Sequence, residues 1–484
     1  MATSISSIGV GSGLPLDTLL QQFRTAENAP LAALQSRATK EQQRFSAYGT
    51  LKSGLEAVST AAANLGKSQT FHAVKTSVTG ETFTASAKAG SNAIPGNYAI
   101  TVEQLATAQS LASNAGEERT ESLVEGGSGK VDIKFTVGDT THTVSVDANK
   151  SSLEDVVKAI NASSDLKVSA TLVNTGAGEG NKAHRLIISA DATGTEGQVT
   201  SIEVKHGADG TGDLSRLQAM LNYGGSGPEP DGMSESVAAQ DAKILINDAI
   251  SITSQSNTIE NAIDGINITL NKAAAEDATP DTLKVTRDDS VTTTAVNNFV
   301  NAYNALQSTI KSLTSYDVDS QTGAALTGDT LARRAQSQVR DAINGLAANG
   351  ITLSSIGIKT DATTGNLSVD NAKLTEALKE NRAEIEQLFG GENGLSKRVT
   401  SAVEVFTKSD GLIKTSQDSI TRTLKLLESQ YEQMEARIDQ KMETYRQQFV
   451  QLDSFMAQMN STSSYLSTQL SMLQNLSSSN SKSK

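Results

Sequence analysis

Between Ser416 and Met459 the apolar residues fall on a single repeating step. Ile420, Leu424, Leu427, Tyr431, Met434 and Ile438 are spaced four, three, four, three, four. A further step of four leads to Met442, and the pattern resumes through Tyr445, Phe449, Leu452, Met456 and Met459. Alternating steps of three and four place all of these side chains on one narrow stripe of a helix, a coiled-coil seam. The repeated four at Ile438–Met442 is a stutter, where supercoiling relaxes. No Pro or Gly interrupts the run, and Glu428, Arg437, Lys441 and Arg446 fill positions between the apolar ones. Such a helix is about 65 Å long at 1.5 Å per residue. It cannot bury the stripe on itself, so it requires a partner helix, from the same chain or another.

The other end of the chain offers one. Leu16, Leu19, Leu20 and Phe23 have helical spacing, Pro30 marks a fresh helical start, and a second stripe runs through Leu31, Leu34, Ala38, Phe45, Tyr48, Leu51, Leu55, Val58, Ala62 and Leu65. Helices at opposite ends of a chain can pair only if the intervening material leaves and returns at nearly the same place. That predicts a helical stalk carrying an inserted head.

From Phe71 the period changes to two. Tyr98, Ile100 and Val102 alternate, as do Val131, Ile133, Phe135 and Val137, the latter entering a hairpin through Gly138-Asp139 to Thr141–Val146. Ser152 and Asp155 have capping spacing before a short helix with an apolar face of Leu153, Val156, Val157 and Ile160. Strands are predicted at 168–173, 186–189 and 201–205, and Gly224–Gly232 is a linker and domain boundary. Paired strands follow at 243–247 and 249–253, then 265–270 and 282–286. Helical spacing returns at Val296, Phe299, Tyr303, Leu306, Ile310 and Leu313, with further helices at 329–346, 371–380, 382–389 and 395–406. The expected fold class is multidomain α+β, with long terminal coiled-coil helices, a helical stalk and nested antiparallel β-rich heads. The expected domains are terminal coiled-coil segments 1–42 and 416–484, disordered in the monomer; a leg of 43–70 with 290–415; an inner β-rich head of 71–113 with 236–289; and an outer one of 114–235. Residues 1–13, rich in Ser and Gly, are expected to be disordered.

Composition narrows the function. Aromatics are 4% of the 484 residues and Trp is absent, so cores must be aliphatic and the surface large. A net charge of −13 argues against nucleic acid as a partner. With no cysteine, thiolate chemistry and Cys-ligated zinc are excluded. The N-terminal MATSISSIGVGSG has neither the basic nor the apolar region of a secretory signal, and no window is long enough for a membrane-spanning helix. Taken alone, these features point to the cytoplasm, without excluding export by a route that needs no cleaved signal.

No constellation carries chemistry. His72, His142, His184 and His206 share no helix face and no metal-ligand spacing. Asp317–Gln321 begins like a calcium loop, but Thr322 stands where that loop needs Gly and Gly328 where it needs Glu. Gly9, Gly11 and Gly13 follow no strand, and Gly176, Gly178 and Gly180 lack the Lys of a phosphate loop. Asp288-Asp289 reads as a helix cap near Ser290. Neither cofactor nor metal is expected, and the chain is not expected to be an enzyme.

Ordered segments along nearly the whole chain resemble the flagellar hook-associated protein 2 family, the filament caps of bacterial flagella. They are Gly11-Ser-Gly-Leu-Pro-Leu-Asp17 leading into Leu19–Phe23, Ala29-Pro30-Leu31, and Gly96-Asn-Tyr-Ala-Ile-Thr-Val-Glu-Gln-Leu-Ala106. Asn257-Thr258-Ile259, Gly265-Ile-Asn-Ile-Thr-Leu270, Tyr303-Asn304, Gly328-Asp329, Gly357-Ile358, Gly365-Asn-Leu-Ser-Val-Asp370 and Leu388-Phe389 complete the set. Residues 114–235 lie outside it. The resemblance implies a secreted homo-oligomeric ring at the distal tip of the filament, with heads forming a plate and legs pointing into the filament end. It implies retention of exported flagellin and promotion of its folding and polymerisation. Implied partners are flagellin, other filament and hook-associated axial proteins, the flagellar type III export apparatus and a cytosolic export chaperone, with no nucleic acid and no membrane insertion. Residues expected to make coiled-coil, oligomer or filament contacts are Leu31, Leu34, Phe45, Tyr48, Leu424, Leu427, Tyr431, Met434, Ile438, Tyr445, Phe449 and Leu452. Rival readings are a surface adhesin with a coiled-coil stalk and another axial protein such as one at the hook–filament junction. An enzyme grafted into 114–235 is the weakest rival.

Overall fold

The computed structural model describes residues 12–480 apart from 92, 177–181, 225–231 and 276. The expected disorder of the extreme N-terminus, the first two glycines noted there, the 178–180 glycines and most of the Gly224–Gly232 linker fall outside the described residues. In chain order, α1 (Leu16–Glu27), α2 (Ala29–Leu65) and the single turn α3 (Ser68–Phe71) precede β1 (Val74–Thr79), β2 (Phe83–Ala87), β3 (Gly96–Gln104) and β4 (Ser110–Ser113). Next come β5 (Lys130–Val137), β6 (Thr140–Asp147), α4 (Leu153–Ala162), β7 (Val168–Asn174), β8 (His184–Ala190), β9 (Val199–His206) and α5 (Ser215–Leu221). They lead to β10 (Met233–Val237), β11 (Ala242–Ile246), β12 (Ile250–Ser254), β13 (Thr258–Ile263), β14 (Ile266–Leu270) and β15 (Asp281–Arg287). The chain ends with α6 (Asp289–Thr314), α7 (Thr330–Ile343), α8 (Asn371–Glu380), α9 (Arg382–Gly390), α10 (Leu395–Thr407) and α11 (Leu412–Asn480). Short hairpins lie between α6 and α8.

The chain forms two compact units, one from residues 1–67 with 293–484 and one from 68–292. The helical unit is therefore built from both ends of the sequence, and the β-rich unit is nested between them. In the helical unit α2 packs against α10 and α11, and α10 against α7 and α9. Gly54 of α2 lies where an added Cβ would be 3.1 Å from Leu306 of α6. The 296–313 stripe is buried as its spacing requires, with Val296, Phe299, Tyr303, Leu306 and Ile310 each at most 1% exposed. Asp329 proves to be the cap of α7 rather than its first turn, accepting from the Ala332 N–H at 2.9 Å.

The β-rich unit has two cores. In the first, the sheet β1-β15-β3-β11-β12 and the sheet β13-β14-β2 enclose Phe83, Ile100, Val102, Ile244, Ile266, Ile268 and Leu283. In the second, the sheets β10-β4-β8-β7 and β6-β5-β9, with α4 and α5, enclose Leu111, Ile133, Phe135, Ile160, Leu186, Ile188 and Leu217. All sheet pairings are antiparallel among the described residues. The hairpin turns follow from local chemistry. Gly138 takes φ 53° between β5 and β6, and Asn247 and Asp248 take 50° and 54° between β11 and β12. Ser152 caps α4 by accepting from the Asp155 N–H.

The strands β4 and β10 were not read from the sequence. Ser110–Ser113 and Met233–Val237 pair with each other in the second body's sheet, whereas 113/114 and 235/236 were the expected boundaries. β4 has only four residues and β10 buries only Met233, too little alternation to mark a strand.

A polar joint ties the two bodies together. The Thr195 N–H donates to Asp241 Oδ1 at 2.7 Å, the Glu196 N–H to Gln255 Oε1 at 3.0 Å, and the Gly194 N–H to the Thr107 carbonyl at 3.1 Å. Gly194 has φ 88°, and a Cβ there would stand 2.1 Å from Gln255 Oε1 and 2.7 Å from its Cα. A side chain at this position meets both backbone strain and a clash. Gly194→Ala should lower the stability of the β-rich unit by about 1–3 kcal/mol, read from chemical denaturation. An unchanged midpoint would refute the dependence of the joint on this residue.

Candidate functional site

The two terminal helical segments meet as an antiparallel pair. At one end the Gln417 side-chain amide donates to the Phe45 carbonyl at 3.4 Å. Further along, Leu424 lines a cleft with Ala38, Gln42 and Ala47, and Met434 lines another with Pro30 and Leu34. At the far end the Ser12 N–H donates to Asp453 Oδ1 at 2.7 Å. The stripe of α11 points inward as its spacing demands. Ile420, Leu427, Ile438 and Met442 are buried, while Leu424, Tyr431, Met434, Tyr445, Phe449 and Met456 are half-buried. Most residues between them are exposed.

The stutter has a structural cause. Leu31, Ile438 and Met442 form the buried centre of a cluster that also takes in Leu20, Tyr431, Met434 and Tyr445. This is the level at which α1 gives way to α2. Asn28 caps α1 and α2 restarts with Pro30 in its first turn. Two consecutive inward positions on α11 therefore meet the break. Beyond it α11 packs on α1, where Phe23 lies 5.5 Å from Tyr445 and 6.2 Å from Phe449 between ring centroids.

Ion pairs flank the apolar stripe. Arg24 pairs with Asp439 at 2.8 Å, and Lys441 pairs with Glu27. The Glu27 carboxylate raises the Lys441 ammonium above its ordinary range. Both Arg24 and Asp439 side chains are more than half exposed, so their pair supplies register more than stability. Among the described residues no helix is long and apolar enough to cross a membrane, and no group of three His, Asp or Glu side chains gathers to hold a metal.

The expected contact residues divide into groups. Leu31, Tyr48, Leu427 and Ile438 are buried within the chain itself, and Leu34, Phe45, Leu424, Tyr431, Met434, Tyr445 and Phe449 are half-buried. Leu452 is 40% exposed. The helix also runs past Met459 to Asn480, presenting Tyr465, Leu466, Leu470, Met472 and Leu473 to solvent. Here Leu466, Leu470 and Leu473 step four and three, one heptad on from Met459, but Thr462 and Ser463 interrupt the apolar run; that resumed spacing and the absence of Pro and Gly after Leu412 were the available signals.

Polar groups that periodicity could not assign hold the rest in place. The Asn304 side chain accepts from the Leu367 N–H and donates to its carbonyl, both at 2.8 Å. Asn257 does the same for Ala106, at 2.7 and 2.8 Å. Asp370 caps α8 by accepting from the Lys373 N–H, and its own N–H donates to the carbonyl of Gly357. The Tyr48 hydroxyl donates to Asp329 Oδ2 at 2.6 Å, joining α2 to the cap of α7. The Asp317–Gln321 segment is a hairpin turn, with Asp317 accepting from the Asp319 N–H and the Ser320 hydroxyl.

Burial, with the Asp329 carboxylate beside it, pushes the Tyr48 phenol up to about 12. A phenol whose folded pKa is raised stabilises the fold fully below its unfolded value of about 10, and that contribution is lost as pH rises through 10 towards 12. Tyr48→Phe should cost about 1.5–3 kcal/mol at neutral pH, the range for a hydrogen bond to a charged group. It should also flatten the loss of stability above pH 10. Denaturant unfolding of both proteins across that range measures this, and parallel curves would refute it.

Comparison with known proteins places these features. Residues 12–109 match the flagellar hook-associated protein 2 N-terminus, residues 239–461 its C-terminus, and residues 132–192 the flagellin hook IN motif. The chain is 35% identical to the flagellar hook-associated protein 2 of Escherichia coli K12, over 96% of this chain and 98% of that one. It is 35% identical to that of Salmonella typhimurium, over 97% and 99%. A crystal structure of the D1-D2-D3 domains of the flagellar cap protein FliD from Escherichia coli aligns with a TM-score of 0.65 at 32% identity, covering 78% of this chain and 99% of that one. Alignment over almost the full length of both sequences, including the helices at both ends, makes this chain a member of the flagellar hook-associated protein 2 family.

Proposed function

We propose that this chain is the structural cap at the distal tip of the bacterial flagellar filament, needed for elongation because it retains exported flagellin and promotes its folding and polymerisation. The observation that carries this reading is the end-to-end match to flagellar hook-associated protein 2, terminal helices included. The protein acts from outside the cell. It works by contact rather than catalysis, as a homo-oligomer seated on flagellin. It reaches the tip through the flagellar type III export apparatus, after handling by a cytosolic chaperone.

The physics of the helix pair suits this task. A cap must hold while it yields to each new subunit. Its narrow apolar stripe and exposed ion pairs give many modest contacts in place of one dominant anchor. The exposed faces of α1 and α11, including Leu452, are available to the filament and to neighbouring copies. In the free chain α1, the first turns of α2 and the facing part of α11 are disordered, and they order on assembly. Limited proteolysis of the dilute monomer should trim these segments first; protection equal to that of the β-rich unit would overturn this.

Deleting the gene should leave hooks without filaments and flagellin free in the medium, and normal filaments would remove the cap reading. In the same strain Leu427→Asp should fail to restore filaments. It places a charge where Leu427 is 5% exposed, and even truncation of a buried Leu costs about 2–5 kcal/mol. The strand content of the purified variant, read by circular dichroism, should be unchanged. Restored filament growth would sink the role of the seam.

A further inference from the structure

The hairpin between α6 and α7 is a preformed knob with an apolar tip. Tyr316 and Asp317 pair with Gly323 and Thr322. Its side chains are 56% exposed at Tyr316 and 76% at Val318, among the most exposed large apolar residues described. Its shape does not depend on a partner. The Ser320 hydroxyl donates to Asp317 Oδ2 at 2.6 Å, the Ala324 N–H to the Ser315 carbonyl at 2.9 Å, and the Thr327 hydroxyl to the same carbonyl at 2.7 Å. A rigid apolar projection loses little entropy on docking. Asp317 and Asp319 give it negative charge.

A matching cleft of about 450 Å³ lies past the other end of α7. Ile343, Leu346 and Ile358 are the buried apolar residues of its lining, while Asn344, Thr352, Ser354 and Lys359 are exposed around it. Beside it the Arg398 guanidinium donates to the carbonyls of Asp341 and Asn344 at 3.0 and 3.2 Å, which fixes a second positive charge at the rim. The knob precedes the cap of α7, Asp329, and the cleft begins at Ile343. The 14-residue helix between them spans about 21 Å at 1.5 Å per residue, so a chain cannot fill its own cleft.

We propose that the 316–323 hairpin of one chain seats in the α7 cleft of a second copy, Tyr316 and Val318 against Ile343, Leu346 and Ile358, with Asp319 towards Lys359. This rests on the homo-oligomeric cap reading and names one of its contacts. Knob and cleft are different surfaces, so the contact is head-to-tail and generates a ring when its rotation closes. It is small, one contact among several.

The natural chain has no cysteine, so among copies of this chain the introduced thiols pair only with each other. The full-length chain carrying both Val318→Cys and Ser354→Cys is expressed in the deletion strain, and its filaments are oxidised mildly and run on a non-reducing gel. A ladder of dimers, trimers and larger species is expected, whereas each single variant stops at the dimer. Filaments that grow while the double variant stays monomeric would overturn the contact and leave the cap role intact; normal filaments in the deletion strain itself would instead overturn the cap role. Charge reversal at exposed positions is the second measure. Lys359→Glu should shorten filaments, and Asp319→Lys in the same chain should restore their length. Wild-type growth by Lys359→Glu, or failure of the rescue, also overturns the proposal.

Discussion

The packing of α2 against α10 and the start of α11 is the contact on which the rest of the architecture depends. It joins the two ends of the chain, so whatever lies between must leave and return at one place. The β-rich unit meets that condition because it is itself closed: β1, which enters it, pairs directly with β15, which leaves it. The same logic applies once more inside. β4 and β10, where the chain enters and leaves the second body, pair with each other. Insertion within insertion is thus achieved by pairing the entry strand with the exit strand at each level.

Two kinds of force share the work. Aliphatic burial fills the cores, as the scarcity of aromatics requires, and it is non-directional. Direction comes from a few polar groups that each satisfy specific backbone atoms. Asn304 and Asn257 each bind both the N–H and the carbonyl of a single residue on a distant segment, standing in for a neighbouring strand. A backbone group left buried without such a partner costs about 1–3 kcal/mol. These amides therefore specify arrangements that burial alone would leave degenerate.

This division explains what could be read from the sequence. The helical stripes and the alternating strands were legible because periodicity records which face is buried, and the inward set from Ile420 to Phe449 follows it residue by residue. Turn chemistry was legible at Gly138 and at Asn247-Asp248, where the backbone demands φ above zero. The short strands β4 and β10 were not legible, because four or five residues with little alternating burial leave no pattern. Nor was the pairing of Asn257 with Ala106, although both lie in segments that carried the family resemblance. The reason is that a single amide reaching across more than a hundred residues leaves no local pattern. Tyr48 shows both sides at once: its spacing places it on the buried face, while its hydroxyl bond to Asp329, 281 residues away, leaves no local trace.

The stutter at Ile438–Met442 has a mechanical consequence. It marks where α11 exchanges one helical neighbour for another, and the helix continues from there to Asn480. That remaining length is about 60 Å at 1.5 Å per residue. Long helices curve gently, and a stutter relaxes the supercoil where it falls. Taken as a pivot, a deflection of about 10° at this level sweeps the free end through about 10 Å, several turns of backbone moving as one rigid arm. A small angular adjustment in the seam thereby becomes a displacement comparable with the width of a helix.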